Sequence, residues 1–168
     1  KMPGSRWSPN VRLIFAQNLL RFDDDRVALL FRGENGATER ITYAQLRRRV
    51  AALAADLGAQ GVTVGDRVAG FMPNLPDTVV AMLATASLGA IWSSCSPDFG
   101  VNGVLDRFGQ IRPKVLFTAA SYQYGGRCLD CLEKVAGFAR EIDSLERIVV
   151  VPSLARPESL AAVPRAVN

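Results

Sequence analysis

The stretch that decides the fold is residues 65–100, GDRVAGFMPNLPDTVVAMLATASLGAIWSSCSPDFG. After a Gly-Asp turn signal, residues 67–72 read as a short apolar strand. Residues 79–88 are apolar nearly all round, which is typical of a helix buried on most sides. Gly89 ends that helix, and residues 90–92 read as a second strand. This order of strand, helix and strand predicts a parallel pair joined by a crossover.

The same alternation continues on both sides of this stretch. On the amino-terminal side, two strand patterns around a Gly-Glu-Asn-Gly turn predict a β-hairpin, and Thr42 with Gln45 predicts a capping box that opens a helix. On the carboxyl side, a helix predicted from Ser96 precedes further strand and helix patterns. The strands are predicted at 27–31, 39–42, 67–72, 90–92, 114–118 and 147–151. The fold class is therefore α/β, a parallel sheet with helices on both faces plus an N-terminal β-hairpin.

The chain divides into three parts by its patterning. Residues 1–25 form an irregular N-terminal segment, and residues 26–151 form one α/β subdomain. Residues 152–168 contain three prolines and are predicted to be a linker-like tail. A chain of 168 residues is long enough for one domain with a substantial core.

Composition and charge exclude several classes of function. The chain has no histidine, so it contains neither a Ser-His or Cys-His nucleophile pair nor a His-ligated metal site. The net charge of +4 comes from arginines spread along helix faces, which indicates solvated surfaces and no nucleic-acid partner. No apolar run reaches transmembrane length and no signal peptide is apparent, so we expect no membrane partner. Three cysteines in a chain rich in core residues indicate a cytoplasmic location.

Three strand ends could carry a ligand, because ligands of open parallel sheets bind beyond the carboxyl ends of the strands. Asn74 could cap the next helix or contact a ligand. Residues 92–98 place small side chains before a predicted helix start, which could bind a phosphate or be an ordinary Ser-capped turn. Asp98 disfavours an anion there. The predicted loop 119–127 contains tyrosines that could stack on adenine, and its Arg127 could bind a phosphate through two parallel N–H donors. Alternatively, it is a surface loop without a ligand.

The cysteines and the missing motifs give no catalytic centre. Cys128 and Cys131 have CxxC spacing, but only Cys95 remains as a further ligand, so we predict that the pair packs in the core and holds no zinc. The sequence has no Walker loop, no GxGxxG after a strand, no GxSxG and no HExxH. We therefore predict no catalytic residue and no metal site on this chain, and at most an anion-binding site.

The sequence also resembles a known family. The strings ITYAQLRRRVAALAADL (residues 41–57), WSSCSPDFG (92–100) and DRFGQIRPKVLF (106–117) are similar to the N-terminal region of the acetoacetyl-CoA synthetases, which belong to the adenylate-forming acyl-CoA synthetases. The resemblance implies a two-step reaction that uses ATP, Mg²⁺ and coenzyme A. Acetoacetate or another short acyl acid first forms an acyl-adenylate, and the thiol of coenzyme A then displaces AMP.

The resemblance implies that this chain is an N-terminal fragment of such a ligase. The ATP loop and the catalytic lysine of the family have no counterpart here, so the fragment alone is expected to be inactive. In the related acetyl-CoA synthetases, the segments matching Trp92-Ser93-Ser94 and the loop ending at Arg127 hold the nucleotide end of coenzyme A. Ser93 and Ser94 stand where those relatives carry a glycine pair, and Tyr124 stands where they carry another arginine.

Two further expectations follow for the fragment. The alternative to a ligase fragment is a freestanding α/β module that binds a nucleotide or coenzyme A without catalysis. If the chain is a fragment, surfaces that the rest of the enzyme would cover are exposed, so self-association through them is also expected.

Overall fold

The computed structural model describes Gly4, residues 13–152 and residues 163–167. Residues 1–3 and 5–12 of the predicted N-terminal segment, which include Trp7, lie outside the described residues. The helices are α1 (Phe15–Leu19), α2 (Tyr43–Ala59), α3 (Pro76–Ser87), α4 (Val101–Ile111) and α5 (Leu132–Ala139). The strands are β1 (Val27–Arg32), β2 (Thr38–Thr42), β3 (Arg67–Phe71), β4 (Ile91–Cys95), β5 (Val115–Ala119), β6 (Ser121–Tyr124), β7 (Arg127–Asp130), β8 (Arg147–Val151) and β9 (Ala166–Val167).

A five-stranded parallel sheet with the order β4-β3-β5-β8-β9 forms the centre of the fold. Side chains of α2 and α3 pack on one face of this sheet, and side chains of α4 and α5 pack on the other. Strands β1 and β2 form a separate antiparallel hairpin. The predicted α/β class, with helices on both faces and an N-terminal hairpin, is confirmed.

Aromatic packing fills the face that α4 and α5 cover. Phe138 of α5 lies edge-on to Phe71 of β3, with ring centroids 5.3 Å apart, and contacts Phe108 of α4 at 6.4 Å. All three rings are fully buried. Such T-shaped pairs add to the stabilisation that comes from burying apolar area. No helix within the described ranges is both long and apolar enough to cross a bilayer.

The start of α2 agrees with the prediction from sequence, and the start of α3 does not. Thr42 and Gln45 form the predicted capping box around the first turn of α2. The predicted N-cap of α3, Asn74, is wrong, because Leu75 occupies the cap in an extended conformation and Pro76 is the first helical residue. A proline disfavours the helical conformation of the residue before it, so the helix begins directly at the proline.

Strand β4 is longer than predicted, and α4 begins later. Residues 93–95 continue the ladder by pairing with residues 69–71 of β3. The predicted helix start at Ser96 is wrong: Phe99 N–H donates to the Ser96 carbonyl at 3.1 Å in a turn, and Gly100 caps α4. The pairing partner therefore decides the conformation of the Ser-Ser-Cys segment, whose own strand propensity is low.

The predicted loop 119–127 is in fact the start of a second hairpin, β6–β7. Gly125 and Gly126 have φ angles of 58° and 74° and form its two-residue turn. Positive φ at both central residues is the signature of the type I′ turn, which matches the twist of the flanking strands. The predicted linker-like tail is also wrong where it is described, since Ala166 and Val167 pair with β8.

The packing of Phe138 gives a test of the core. We expect Phe138→Ala to lower the free energy of unfolding by about 3–5 kcal/mol, because it removes a fully buried ring and leaves a cavity. The matched control is Leu30→Ala, since Leu30 is 70% exposed and should change stability by less than about 0.5 kcal/mol. Urea unfolding measures both, and equal losses in the two variants would contradict this description of the core.

Candidate functional site

A cleft of about 750 Å³ opens at the carboxyl edge of the parallel sheet. Its walls come from the β1–β2 hairpin and from the segments that follow β3, β4 and β5, namely 72–78, 94–98 and 121–124. The connection after β3 leaves over one face of the sheet through α3, whereas the connection after β5 leaves over the other face through α5. This change of direction opens a crevice between β3 and β5, which is where open α/β sheets bind ligands.

The five residues predicted to bind coenzyme A do not all reach this cleft. Ser94 and Tyr124 line it, whereas Trp92, Ser93 and Arg127 do not. Residues 92–94 lie in β4 and not in a loop, so their side chains alternate between the two faces of the sheet. Trp92 and Ser94 therefore share one face, and Ser93 belongs to the other.

Trp92 packs against the sheet. Its indole ring lies 6.2 Å from the ring of Phe117 and covers Gly70, whose position leaves no room for a side chain. A Cβ added to Gly70 would lie 2.5 Å from Trp92 Cζ2. Trp92 thus fixes the edge strand that carries Ser94.

Tyr124 and Arg127 flank the turn of the second hairpin. They are opposite each other in the β6–β7 register, so their side chains project from the same face of the hairpin. Tyr124 is 61% exposed, and Arg127 is exposed as well. Among the described residues, no carboxylate lies within ion-pair distance of Arg127. The arrangement presents a flat ring and a planar guanidinium side by side, which suits a nucleotide base and a phosphate.

The cleft itself is acidic. Its charged lining side chains are Arg32, Glu34, Glu39, Asp77 and Asp98. One positive and four negative groups disfavour an anion in the middle of the cleft, because like charges repel over this range. Next to this cleft, in the β6–β7 hairpin, Arg127 presents an exposed guanidinium.

Sequence reasoning missed a hydrogen-bonded group at the β4 and β5 strand ends. Tyr122 Oη donates to Asp98 Oδ1 at 2.7 Å, and Ser96 Oγ donates to Asp98 Oδ2 at 2.7 Å. The two hydrogen bonds, first that from Tyr122, lower the pKa of the Asp98 carboxyl. Burial and the bond to Asp98 raise the pKa of Tyr122 to about 12. No local pattern could reveal this pair, whose members lie 24 residues apart.

The cysteines behave differently from one another. Burial raises the pKa of the Cys131 thiol to about 12, and Cys131 packs in the core as predicted. Cys128 is exposed, so the prediction that it also packs is wrong. Its position in an exposed strand of the second hairpin explains the difference. Within the described ranges, no three His, Cys, Asp or Glu side chains are placed to share a metal ion.

The contact of Gly70 with Trp92 leads to one prediction. Gly70→Ala should push the indole off the sheet and cost about 1–3 kcal/mol of stability, as overpacking does. In a Trp7→Phe background, a red shift of the fluorescence emission reports the movement of Trp92. Gly109→Ala is the matched control, because a Cβ at Gly109 meets nothing within 4 Å. An unshifted emission in Gly70→Ala would contradict the packing described.

The raised pKa of Tyr122 leads to a prediction about stability at high pH. Its value of about 12 in the folded protein lies above the ordinary value of 10.0, so the unfolded chain releases this proton first as pH rises. The stabilisation is complete below pH 10 and is lost as pH approaches 12. We expect Tyr122→Phe to show a smaller loss of stability over this range and to lack the late tyrosinate absorbance. A tyrosinate titration identical to that of the unchanged protein would refute the assignment.

Comparison with known proteins places the chain in a family. The family model described as "AMP-binding enzyme" matches residues 15–165. An acetoacetyl-coenzyme A synthetase of Rhizobium meliloti is 48% identical over 96% of this chain and 24% of its own length. A malonamoyl-CoA synthetase of Penicillium aethiopicum is 40% identical over 97% of this chain and 24% of its own length.

A solved structure gives the same result. The acetoacetyl-CoA synthetase from Streptomyces lividans superimposes with a TM-score of 0.89 at 44% identity, over 98% of this chain and 25% of that one. The chain thus spans about a quarter of the length of the relatives that it matches. The similarity covers the sheet, both helix layers and the hairpins, and the chain belongs to the family of AMP-binding enzymes.

Proposed function

We propose that the protein is an acid–thiol ligase, an acetoacetyl-CoA synthetase, and that this chain is its N-terminal segment. The observation that carries the proposal is the identity of 48% to an acetoacetyl-coenzyme A synthetase over nearly the whole chain. The choice of acetoacetate follows the relatives at 43–48% identity. The relative named for malonamoyl-CoA, at 40% identity, matches 97% of the chain, so this segment contributes little to the choice of acyl group.

The proposed reaction has two steps. A carboxylate oxygen of the acyl acid attacks the α-phosphorus of ATP, and pyrophosphate leaves as the acyl-adenylate forms. Coenzyme A then gives up its thiol proton to solvent, its sulfur attacks the acyl carbonyl carbon, and AMP leaves with the electron pair of the broken C–O bond. No residue of this chain is assigned to either bond change. The groups that grip ATP and supply the catalytic lysine would lie outside it, as would the ligands of Mg²⁺, for which the described residues offer no cluster.

The role of this chain is to hold the nucleotide end of coenzyme A. Arg127 would bind a phosphate through paired N–H donors, and the exposed ring of Tyr124 would stack on adenine. The exposed Ser94, at the end of β4, would contact the same ligand from across the rim. Trp92 and Ser93 would act through the strand that carries Ser94, since Trp92 is packed on Gly70. The acidic cleft favours this outer position for the phosphates.

A single charge removal tests the proposal. Arg127→Ala should weaken the binding of coenzyme A about tenfold or more, because a hydrogen-bonded charge pair contributes roughly 1.5–3 kcal/mol. Arg127→Lys should recover part of the loss, since lysine keeps the charge without the fork. Isothermal titration of the natural full-length protein measures the affinity.

The matched control is Arg140→Ala, which removes the same charge from the exposed end of α5. That end lies at the opposite edge of the sheet from the hairpin turn, because α5 runs antiparallel to the strands. Equal affinities of Arg127→Ala and Arg140→Ala for coenzyme A would overturn the proposed site. The cytoplasmic location and self-association of the isolated segment stay predictions.

A further inference from the structure

The hairpin β6–β7 is tied to the main sheet at its base. Ala120 N–H donates to the carbonyl of Val151 at 3.0 Å, and Cys131 N–H donates to the carbonyl of Ala120 at 3.0 Å. These bonds hold the ends of the hairpin where β5 leaves the sheet. The tip, which carries Tyr124 and Arg127, is held by other contacts. One lies at the turn, where Gly126 N–H donates to Glu34 Oε2 at 3.5 Å, a long hydrogen bond.

One side-chain bond ties the hairpin to the neighbouring strand end. Tyr122 Oη donates to Asp98 Oδ1 at 2.7 Å, across the mouth of the cleft. Tyr122 is partly buried against the core under α4 and α5, so its ring is held while its hydroxyl reaches the segment after β4. Tyr124 follows two residues later and projects from the same face of the strand. The bond at Tyr122 therefore sets the orientation of the face that carries Tyr124.

The acceptor end of this bond is itself held in place. Ser96 Oγ donates to the second carboxylate oxygen of Asp98 at 2.7 Å, and Lys134 Nζ donates to the carbonyl of Pro97 at 2.7 Å. Lys134 belongs to α5. The segment 96–98 is therefore held both by its internal Ser96–Asp98 bond and by its bond to this helix. Near neutral pH the phenol is protonated and the carboxylate is charged, and the raised pKa of Tyr122 and the lowered pKa of Asp98 extend the pH range over which this holds.

We propose that Asp98 and Tyr122 are positioning residues for the coenzyme A site. Their hydrogen bond locks the β6–β7 hairpin against the end of β4, so that Ser94 on one side and Tyr124 with Arg127 on the other face a common ligand. Neither Asp98 nor Tyr122 needs to touch the nucleotide. The inference rests on the proposed function, because coenzyme A is the ligand that the fixed hairpin would bind.

Removing the hydroxyl tests the lock with little other change. Tyr122→Phe keeps the partly buried ring and deletes the donor. In the natural full-length enzyme it should raise KM for coenzyme A about three- to tenfold, which corresponds to a net hydrogen-bond contribution of roughly 0.7–1.4 kcal/mol. KM for ATP and kcat should change less than about twofold on the same reasoning. Asp98→Ala should also raise KM for coenzyme A, but by a different factor, because it removes the Ser96 bond and a negative charge of the cleft as well. The double variant should be no worse than the worse single one. Asp98→Asn, which keeps an acceptor oxygen, should retain more affinity than Asp98→Ala.

Hydrogen exchange of the same proteins reports the hairpin without reference to any ligand. In Tyr122→Phe, amides of residues 121–130 should exchange several-fold faster, whereas amides of α2 should be unchanged. Tyr43→Phe is the matched control, because it deletes a tyrosine hydroxyl at the start of α2, remote from the hairpin. It should alter neither the exchange of residues 121–130 nor KM for coenzyme A.

The outcomes separate this inference from the proposed function. Faster exchange in the hairpin together with a selective rise in KM for coenzyme A supports the lock. Two results for Tyr122→Phe would overturn the lock: unchanged exchange of residues 121–130, or a KM for coenzyme A equal to that of Tyr43→Phe. If Arg127→Ala still weakens coenzyme A binding, the proposed function is unaffected by either result. If Arg127→Ala also binds coenzyme A normally, the proposed site falls and the positioning role falls with it.

Discussion

The structure depends on the position of β3 between two parallel neighbours. Residues 68–71 pair with β4 on one side and with β5 on the other, and their side chains are buried on both faces of the sheet. Because the chain leaves β3 over one face of the sheet through α3 and leaves β5 over the other face through α5, a crevice opens between the carboxyl ends of β3 and β5. The pairing that buries β3 thus also forms the edge of the sheet where the segments after β3, β4 and β5 line one cleft.

Local patterns predicted what is local in origin. The capping box at Thr42, the apolar stripe of α2 and the glycine after α3 each act within a few residues, and each appears in the structure. The extension of β4 through residues 93–95 was not predictable in this way, because the strand exists through pairing with Gly70 and Phe71. The β6–β7 hairpin did carry a signal, the Gly-Gly pair between two short strands, which predicts a type I′ turn.

The candidate site was predicted from family resemblance more than from physics. The resemblance selected Trp92, Ser93, Ser94, Tyr124 and Arg127, but only the pairing register shows which side chains share a face. The acidic lining of the cleft and the Asp98–Tyr122 bond depend on side chains brought together from distant segments. Of the two predicted phosphate positions, the helix start after β4 and Arg127, they favour Arg127. The helix α4 begins at Val101 with Gly100 as its N-cap, beyond the predicted phosphate position at residues 92–98.

The most direct test of the account is a crystal structure of the natural full-length protein with coenzyme A bound. The account predicts density for the nucleotide at the rim of the cleft, with a phosphate oxygen about 2.7–2.9 Å from the guanidinium of Arg127 and the base against the ring of Tyr124. The Asp98–Tyr122 bond should be intact in that complex. A nucleotide bound elsewhere on the protein, with Arg127 and Tyr124 free in solvent, would contradict the central claim.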